Sequence, residues 1–160
     1  GWTNIEGDLK PRCLPPVFSK ELKNNLFNIV LKNNDVQISI GAIHTTPKEF
    51  FRNADFDEIL FIHEGEGKVE TSYGHLNYKK GDYINIPRGT IYKFFPNSIC
   101  KILKIESASE FNDPSRGILG PNALYDQTVL RTPEAAIGSE QNQDEYILKI
   151  KRLGKLTTVT

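Results

Sequence analysis

The chain of 160 residues contains no methionine, a single tryptophan, three histidines and two cysteines. Cys13 and Cys100 stand apart with no Cys-x-x-Cys pair, which excludes a zinc ribbon and a disulfide scaffold and points to reduced thiols. Excess charge is missing too: Lys plus Arg and Asp plus Glu number 20 each. No net field gathers phosphate backbones or anionic lipid, so neither nucleic acid nor a membrane is an expected partner. Apolar stretches such as Ile59-Leu60-Phe61-Ile62 fall far short of the roughly 20 residues of a membrane-spanning helix. With no basic-then-apolar leader, the expected location is cytoplasmic. Also absent are a Gly-x-Ser-x-Gly elbow, a phosphate loop and a His-Glu-x-x-His helix. Glu64-Gly65-Glu66-Gly67 is a turn whose carboxylates would repel phosphate. A start at Gly1-Trp2 without any Met leads to the expectation of a piece of a longer polypeptide.

What is present suits one folded unit. At 38% hydrophobic and 10% aromatic residues, the chain has enough apolar surface to offset its conformational entropy, and its length is that of a single domain. From Leu26 onward, short β-like segments alternate with turn chemistry every eight to twelve residues, the spacing of a sandwich or barrel. Strands are expected at 26–31, 36–40, 58–63, 68–72, 75–78, 82–86, 90–95, 99–106, 146–151 and 155–159. The alternation of the second puts Val36, Ile38 and Ile40 on one face. Only Val17 to Asn25 and Pro133 to Ala136 suggest short helical turns, the latter from Pro at a first helical position. Residues 138–145 are polar and read as an exposed loop.

One spacing is more specific. Gly81-Asp82-Tyr83-Ile84-Asn85-Ile86-Pro87-Arg88-Gly89-Thr90-Ile91-Tyr92 resembles the second motif of the cupins, all-β double-stranded β-helix or jelly-roll barrels. Gly81 and Gly89 permit positive φ, and Pro87 ends strand pairing. Tyr92 stands where the motif usually has a metal-binding His. Counting back from Gly65, Glu58 matches the glutamate of the first motif. The two expected histidines fall at Phe51 and Asn53, or at Arg52 and Ala54. A d-block dication needs neutral imidazoles and carboxylates converging in fixed geometry. Glu58 is one donor of four, so no metal site is expected here. His63 lies an odd number of residues from Glu58 and faces the other side of its strand. His44 and His75 fall at strand ends and read as solvated.

Among cupins the chain resembles the homogentisate 1,2-dioxygenases and their bacterial relatives. The resemblance rests on Asn53-Ala54-Asp55-Phe56-Asp57-Glu58 running into Ile59 to Gly65, on Glu70 to Leu76, and on Gly81 to Tyr92. Ile105-Glu106-Ser107, Gly117 to Leu124 and Leu130-Arg131-Thr132-Pro133 are further similar segments that generic cupins lack. Phe56 departs from the family, where Gly is common. The resemblance implies residues 1–25 as an N-terminal extension, 26–133 as the barrel, and 134–160 as a polar loop and exit strands leading to a second, C-terminal cupin domain. That partner domain would hold Fe(II) for ring opening in tyrosine or other aromatic catabolism. No cofactor and no catalytic residue carry over to this chain, a homo-oligomer is compatible, and the aromatic substrate would belong to the full-length protein.

Two other functions are compatible with the residues. A barrel binding a small aromatic or sugar acid would use Asn53 and Glu58 inside, with Arg88 or Tyr92 at the mouth. A metal-independent isomerase would use Tyr92 but needs an inward His as base, which the strand parity does not supply.

Overall fold

In the computed structural model, the described residues are 22–112, 120, 126–135 and 146–160. Eleven strands follow one another there: β1 (Leu26–Lys32), β2 (Val36–Ile43), β3 (Phe50–Asn53), β4 (Asp57–Glu64), β5 (Gly67–Thr71), β6 (Gly74–Tyr78), β7 (Tyr83–Ile86), β8 (Ile91–Pro96), β9 (Cys100–Ser107), β10 (Leu148–Arg152) and β11 (Lys155–Val159). One sheet has the order β1-β2-β9-β4-β7 and the other β11-β10-β3-β8-β5-β6. The long-range order of both sheets is that of a jelly roll, in which sequence neighbours repeatedly part to opposite sheets.

The sheets face one another across a core of Ile43, Leu60, Ile62, Val69, Tyr78, Ile84, Ile86, Tyr92, Phe94, Cys100 and Ile102. Period-two alternation explains the choice. Leu60 and Ile62 on β4 and Cys100 and Ile102 on β9 point inward, and their neighbours point out. Cys100 is buried and free, its thiol pushed up by burial and 3.4 Å from the Tyr78 hydroxyl.

The expected strands recur with ends shifted by a few residues, while β3 was not anticipated. Its four residues lie between Pro47 and a turn, too few for an alternation to declare itself. On β2 the face of Val36, Ile38 and Ile40 is the outer one, because Gln37, Ser39 and Ile43 pair with the inward residues Glu106, Lys104 and Cys100 of β9. The outer face is apolar in two rows across three strands, Ile38-Ile105-Ile59 and Ile40-Leu103-Phe61.

Neither helical expectation holds where the residues are described. Leu22 to Asn25 are not helical: Asn24 bridges Ala42, and its side chain accepts from the amides of His44 and Thr45. Residues 17–21 lie outside the described set. Pro133 to Ala135 are extended, since Glu134 and His75 exchange two backbone hydrogen bonds of 3.0 Å at the open edge of β6. The β-edge offered two bonds, which outweighed the weak preference of a single Pro. Residues 138–145, expected as a loop, also lie outside the described set. No helix among the described residues is long and apolar enough to cross a membrane.

Candidate functional site

One end of the barrel interior is polar. Asn53 on β3, Glu58 on β4, Tyr92 on β8 and Glu106 on β9 all lie inside and are at most 6% exposed. Pairing brings them together: Glu58 lies opposite Glu106, and Phe51 opposite Tyr92. Inward Phe51, whose ring meets Tyr92 edge to face at 5.6 Å, and inward Asn53 therefore take the positions of the two expected histidines. Arg52 and Ala54, the alternative count, are not the inward pair.

Two buried carboxylates in one barrel demand compensation, because an unpaired ion loses its hydration on burial. Lys104, inward on β9, and Lys151, on β10, supply it. Glu106 accepts from Lys151 Nζ at 2.6 Å, Asn53 Nδ2 at 2.7 Å and Gln37 Nε2 at 2.6 Å, with Lys104 Nζ 3.8 Å away. Burial pushes the Glu106 carboxyl up, but Lys104, Lys151 and Asn53 outweigh it and hold it below the usual carboxylate range. Glu58 accepts from the Tyr92 hydroxyl at 2.9 Å. Burial, then the Glu58 charge, pushes Tyr92 well above an ordinary phenol, so it is a donor at neutral pH. Lys104 Nζ lies 3.3 Å from Glu58 Oε1, close enough for strong attraction, yet that oxygen makes no hydrogen bond among the described residues. The approach is electrostatic without good angular geometry.

The Asn53 to Asp57 segment explains itself by its contacts. Asn53 Oδ1 accepts from the amides of Asp55 and Phe56, Asp55 accepts from the amides of Leu153 and Gly154 at 2.6 and 2.9 Å, and Asp57 accepts from the Arg88 amide. One short stretch thus ties β3, β4, the turn before β8 and the β10–β11 hairpin. Phe56 is not at positive φ, so this turn does not require glycine; its ring lies 5.1 Å from Lys151 Nζ. Gly81 and Gly89 do adopt positive φ, at 93° and 86°.

Of the residues expected around a pocket, Asn53, Glu58 and Tyr92 converge. Arg88 does not: it is exposed in its turn, and among the described residues it meets the site through its backbone amide, which donates to Asp57. A Pro-Arg-Gly turn leaves a long cation free to extend into water. Nor is Tyr92 a rim residue, since its hydroxyl is buried against Glu58. Lys104, Lys151, Glu106 and Gln37 were missed. Parity on β9 puts Lys104 and Glu106 on the face of Cys100 and Ile102, but with Leu103 and Ile105 on the other face it does not say which of the two turns inward. His63 is exposed on β4, His75 lies on β6 and His44 follows β2. Among the described residues, no three His, Cys, Asp or Glu side chains are grouped to share a metal ion.

A cavity of about 240 Å³ opens at the same end. Phe27, Phe51, Leu60, Tyr92, Phe94 and Lys104 line it, together with Glu49 and Lys149, which pair at 2.8 Å.

This architecture defines a cupin barrel. A cupin-2 domain protein of Shewanella frigidimarina has the same fold, with a TM-score of 0.51 at 23% identity over 56% of this chain and 87% of its own. More narrowly, residues 30–160 match the model of the homogentisate 1,2-dioxygenase N-terminal family, and the chain belongs to that family. A protein of Saccharolobus solfataricus, provisionally named a dioxygenase, is 53% identical over 123 residues, 73% of this chain and 32% of that protein. Homogentisate 1,2-dioxygenase of Bradyrhizobium diazoefficiens is 26% identical over 103 residues, 63% of this chain and 23% of the enzyme. The chain thus spans about a third or less of the length of these relatives.

Proposed function

We propose that the chain is the N-terminal, metal-free structural barrel of a ring-cleaving, non-haem Fe(II) dioxygenase of the homogentisate type, acting in aromatic catabolism. The supporting observation is the internal neutralisation of Glu58 and Glu106 by Lys104 and Lys151. Where iron would need imidazoles, the chain has Phe51, Asn53 and Tyr92, and an ammonium lies 3.3 Å from the one matching carboxylate. Such a donor set does not fit a d-block dication, and the lysine charge repels one. The iron and its oxygen chemistry then belong to the remainder of a longer polypeptide, a second cupin domain for which this barrel supplies packing and assembly surface.

The test is oxygen consumption with homogentisate after anaerobic preloading with Fe(II). This chain is expected to show no substrate-dependent uptake, and a polypeptide extended by a second barrel is expected to show it. Turnover by the present chain alone would refute the assignment.

A further inference from the structure

We propose that β11 is a docking edge for a second copy of this chain, the two β11 strands pairing antiparallel about a two-fold axis at Thr157 and joining the two six-stranded sheets into one. The inference does not depend on where iron is held.

The two ends of that sheet are finished differently. At β6, Glu134 exchanges two backbone hydrogen bonds of 3.0 Å with His75, so the edge is occupied there. At the opposite end β11 pairs only with β10 among the described residues, and its whole length is exposed. Folded proteins protect such an edge with proline, a bulge or charge, because free amides and carbonyls recruit another strand. After Lys155, β11 reads Leu156-Thr157-Thr158-Val159 in unbroken register, with none of these devices. Leu156 and Val159 are 67% and 47% exposed, so the open edge is apolar as well as unpaired.

Its register selects a second copy as the partner. Leu153 and Gly154 hold φ at 50° and 71°, the two-residue turn whose flanking pair, here Arg152 and Lys155, is hydrogen-bonded. Alternation along the ladder turns the backbone groups of Lys155, Thr157 and Val159 toward β10 and those of Leu156 and Thr158 to the free side. Rotation about Thr157 sets Leu156 opposite Thr158 of the second copy, and Thr158 opposite its Leu156, so each free amide meets a free carbonyl. Thr157 meets Thr157, a favourable cross-strand pair, and Lys155 meets Val159 instead of a like charge. The two Lys155 side chains stand four strand positions apart, roughly 13 Å, beyond a Debye length of about 8 Å. Of the hairpin's other cations, Lys149 and Lys151 are matched by Glu49 and Glu106, and Arg152 lies one strand further from the axis. On the other face Leu156 sits beside Lys151 and lines the cavity. The Leu156 side chains of the two copies become diagonal neighbours and cover one another.

The contact is smaller than the roughly 1,200 Å² of stable complexes, so the dimer is weak, with a dissociation constant on the order of 0.1 mM. Sedimentation equilibrium across that concentration is expected to show the mass rise from 18.1 kDa to twice that value. Amide exchange at Leu156 and Thr158 should slow several-fold over the same range, while Thr157, already bonded to β10, stays unchanged. Thr157→Lys and Thr157→Glu each set like charges face to face on the axis. Each should remain monomeric with the circular dichroism of the natural chain, and their equimolar mixture should recover the dimer. A monomer at every concentration, a dimer indifferent to Thr157→Lys, a mixture no tighter than either variant, or growth beyond two copies would overturn the proposal.

Discussion

Replacing Glu106 by Gln changes one atom's chemistry and almost no volume, so it isolates the charge that organises the barrel's polar end. The carboxylate accepts from Lys151, Asn53 and Gln37 at 2.6–2.7 Å and faces Lys104 at 3.8 Å. An amide in its place would offer one carbonyl and turn an NH2 group toward groups that also donate. Lys151 would then lose the carboxylate it bonds, and Lys104 would keep only Glu58 among the described carboxylates. Breaking a buried pair from one side costs about 3–5 kcal/mol. With a urea dependence of about 1–3 kcal/mol per molar for a domain of this size, the unfolding midpoint should fall by roughly 2 M. Urea titration followed by tyrosine fluorescence and by far-UV circular dichroism would measure it. Removing both partners, as in Glu106→Leu with Lys151→Met, should cost less than the sum of the singles by about 1–3 kcal/mol, because neither leaves the other buried and unpaired. A loss under about 1 kcal/mol for Glu106→Gln, with additive effects in the double variant, would refute the account of the network.

Other expectations follow from the same geometry. The Glu106 carboxyl is held below its ordinary value of 4.5, so the folded state takes up its proton less readily than the unfolded chain. Its contribution is complete above about pH 4.5 and is lost as pH falls through the depressed folded value, a slope that Glu106→Gln should flatten in urea titrations between about pH 3 and 6. Tyr92→Phe removes the one hydrogen bond Glu58 receives among the described residues and should destabilise by about 1–3 kcal/mol in the same assay, with little change in packing. Asp55→Ala frees the amides of Leu153 and Gly154; hydrogen exchange should quicken across β10 and β11 and stay unchanged on β4 and β9. Leu153 holds φ at 50° in the β10–β11 turn, so Leu153→Gly should raise stability by up to about 1 kcal/mol in thermal unfolding.

The fold was legible because its signals are local. Turn chemistry at Asn33–Asp35, Gly65, Gly81 and Gly89 separates strands whose residues favour extended backbone, and each of these turns lies between strands of the barrel. β3 escaped because it is short, and Glu134 because its partner His75, on the edge of β6, is remote in sequence. The site was half legible. Motif spacing found Glu58 and Tyr92, the two positions where a metal-binding pattern has kept a carboxylate and lost an imidazole. Their neutralisation was not legible, since nothing in the local sequence tells Lys104 from the outward Lys101 on the same strand. Only the register with β2 and β4 decides which face enters the barrel.

The most direct measurement counts metal. The chain is equilibrated anaerobically with Fe(II), or with Mn(II) or Zn(II), freed of loose ions by gel filtration, and analysed for metal per polypeptide, beside Glu58→Gln. A barrel whose carboxylates are already matched by Lys104 and Lys151 is predicted to retain far less than one equivalent, equally in both proteins. One tightly held equivalent in the natural sequence, lost in Glu58→Gln, would contradict it.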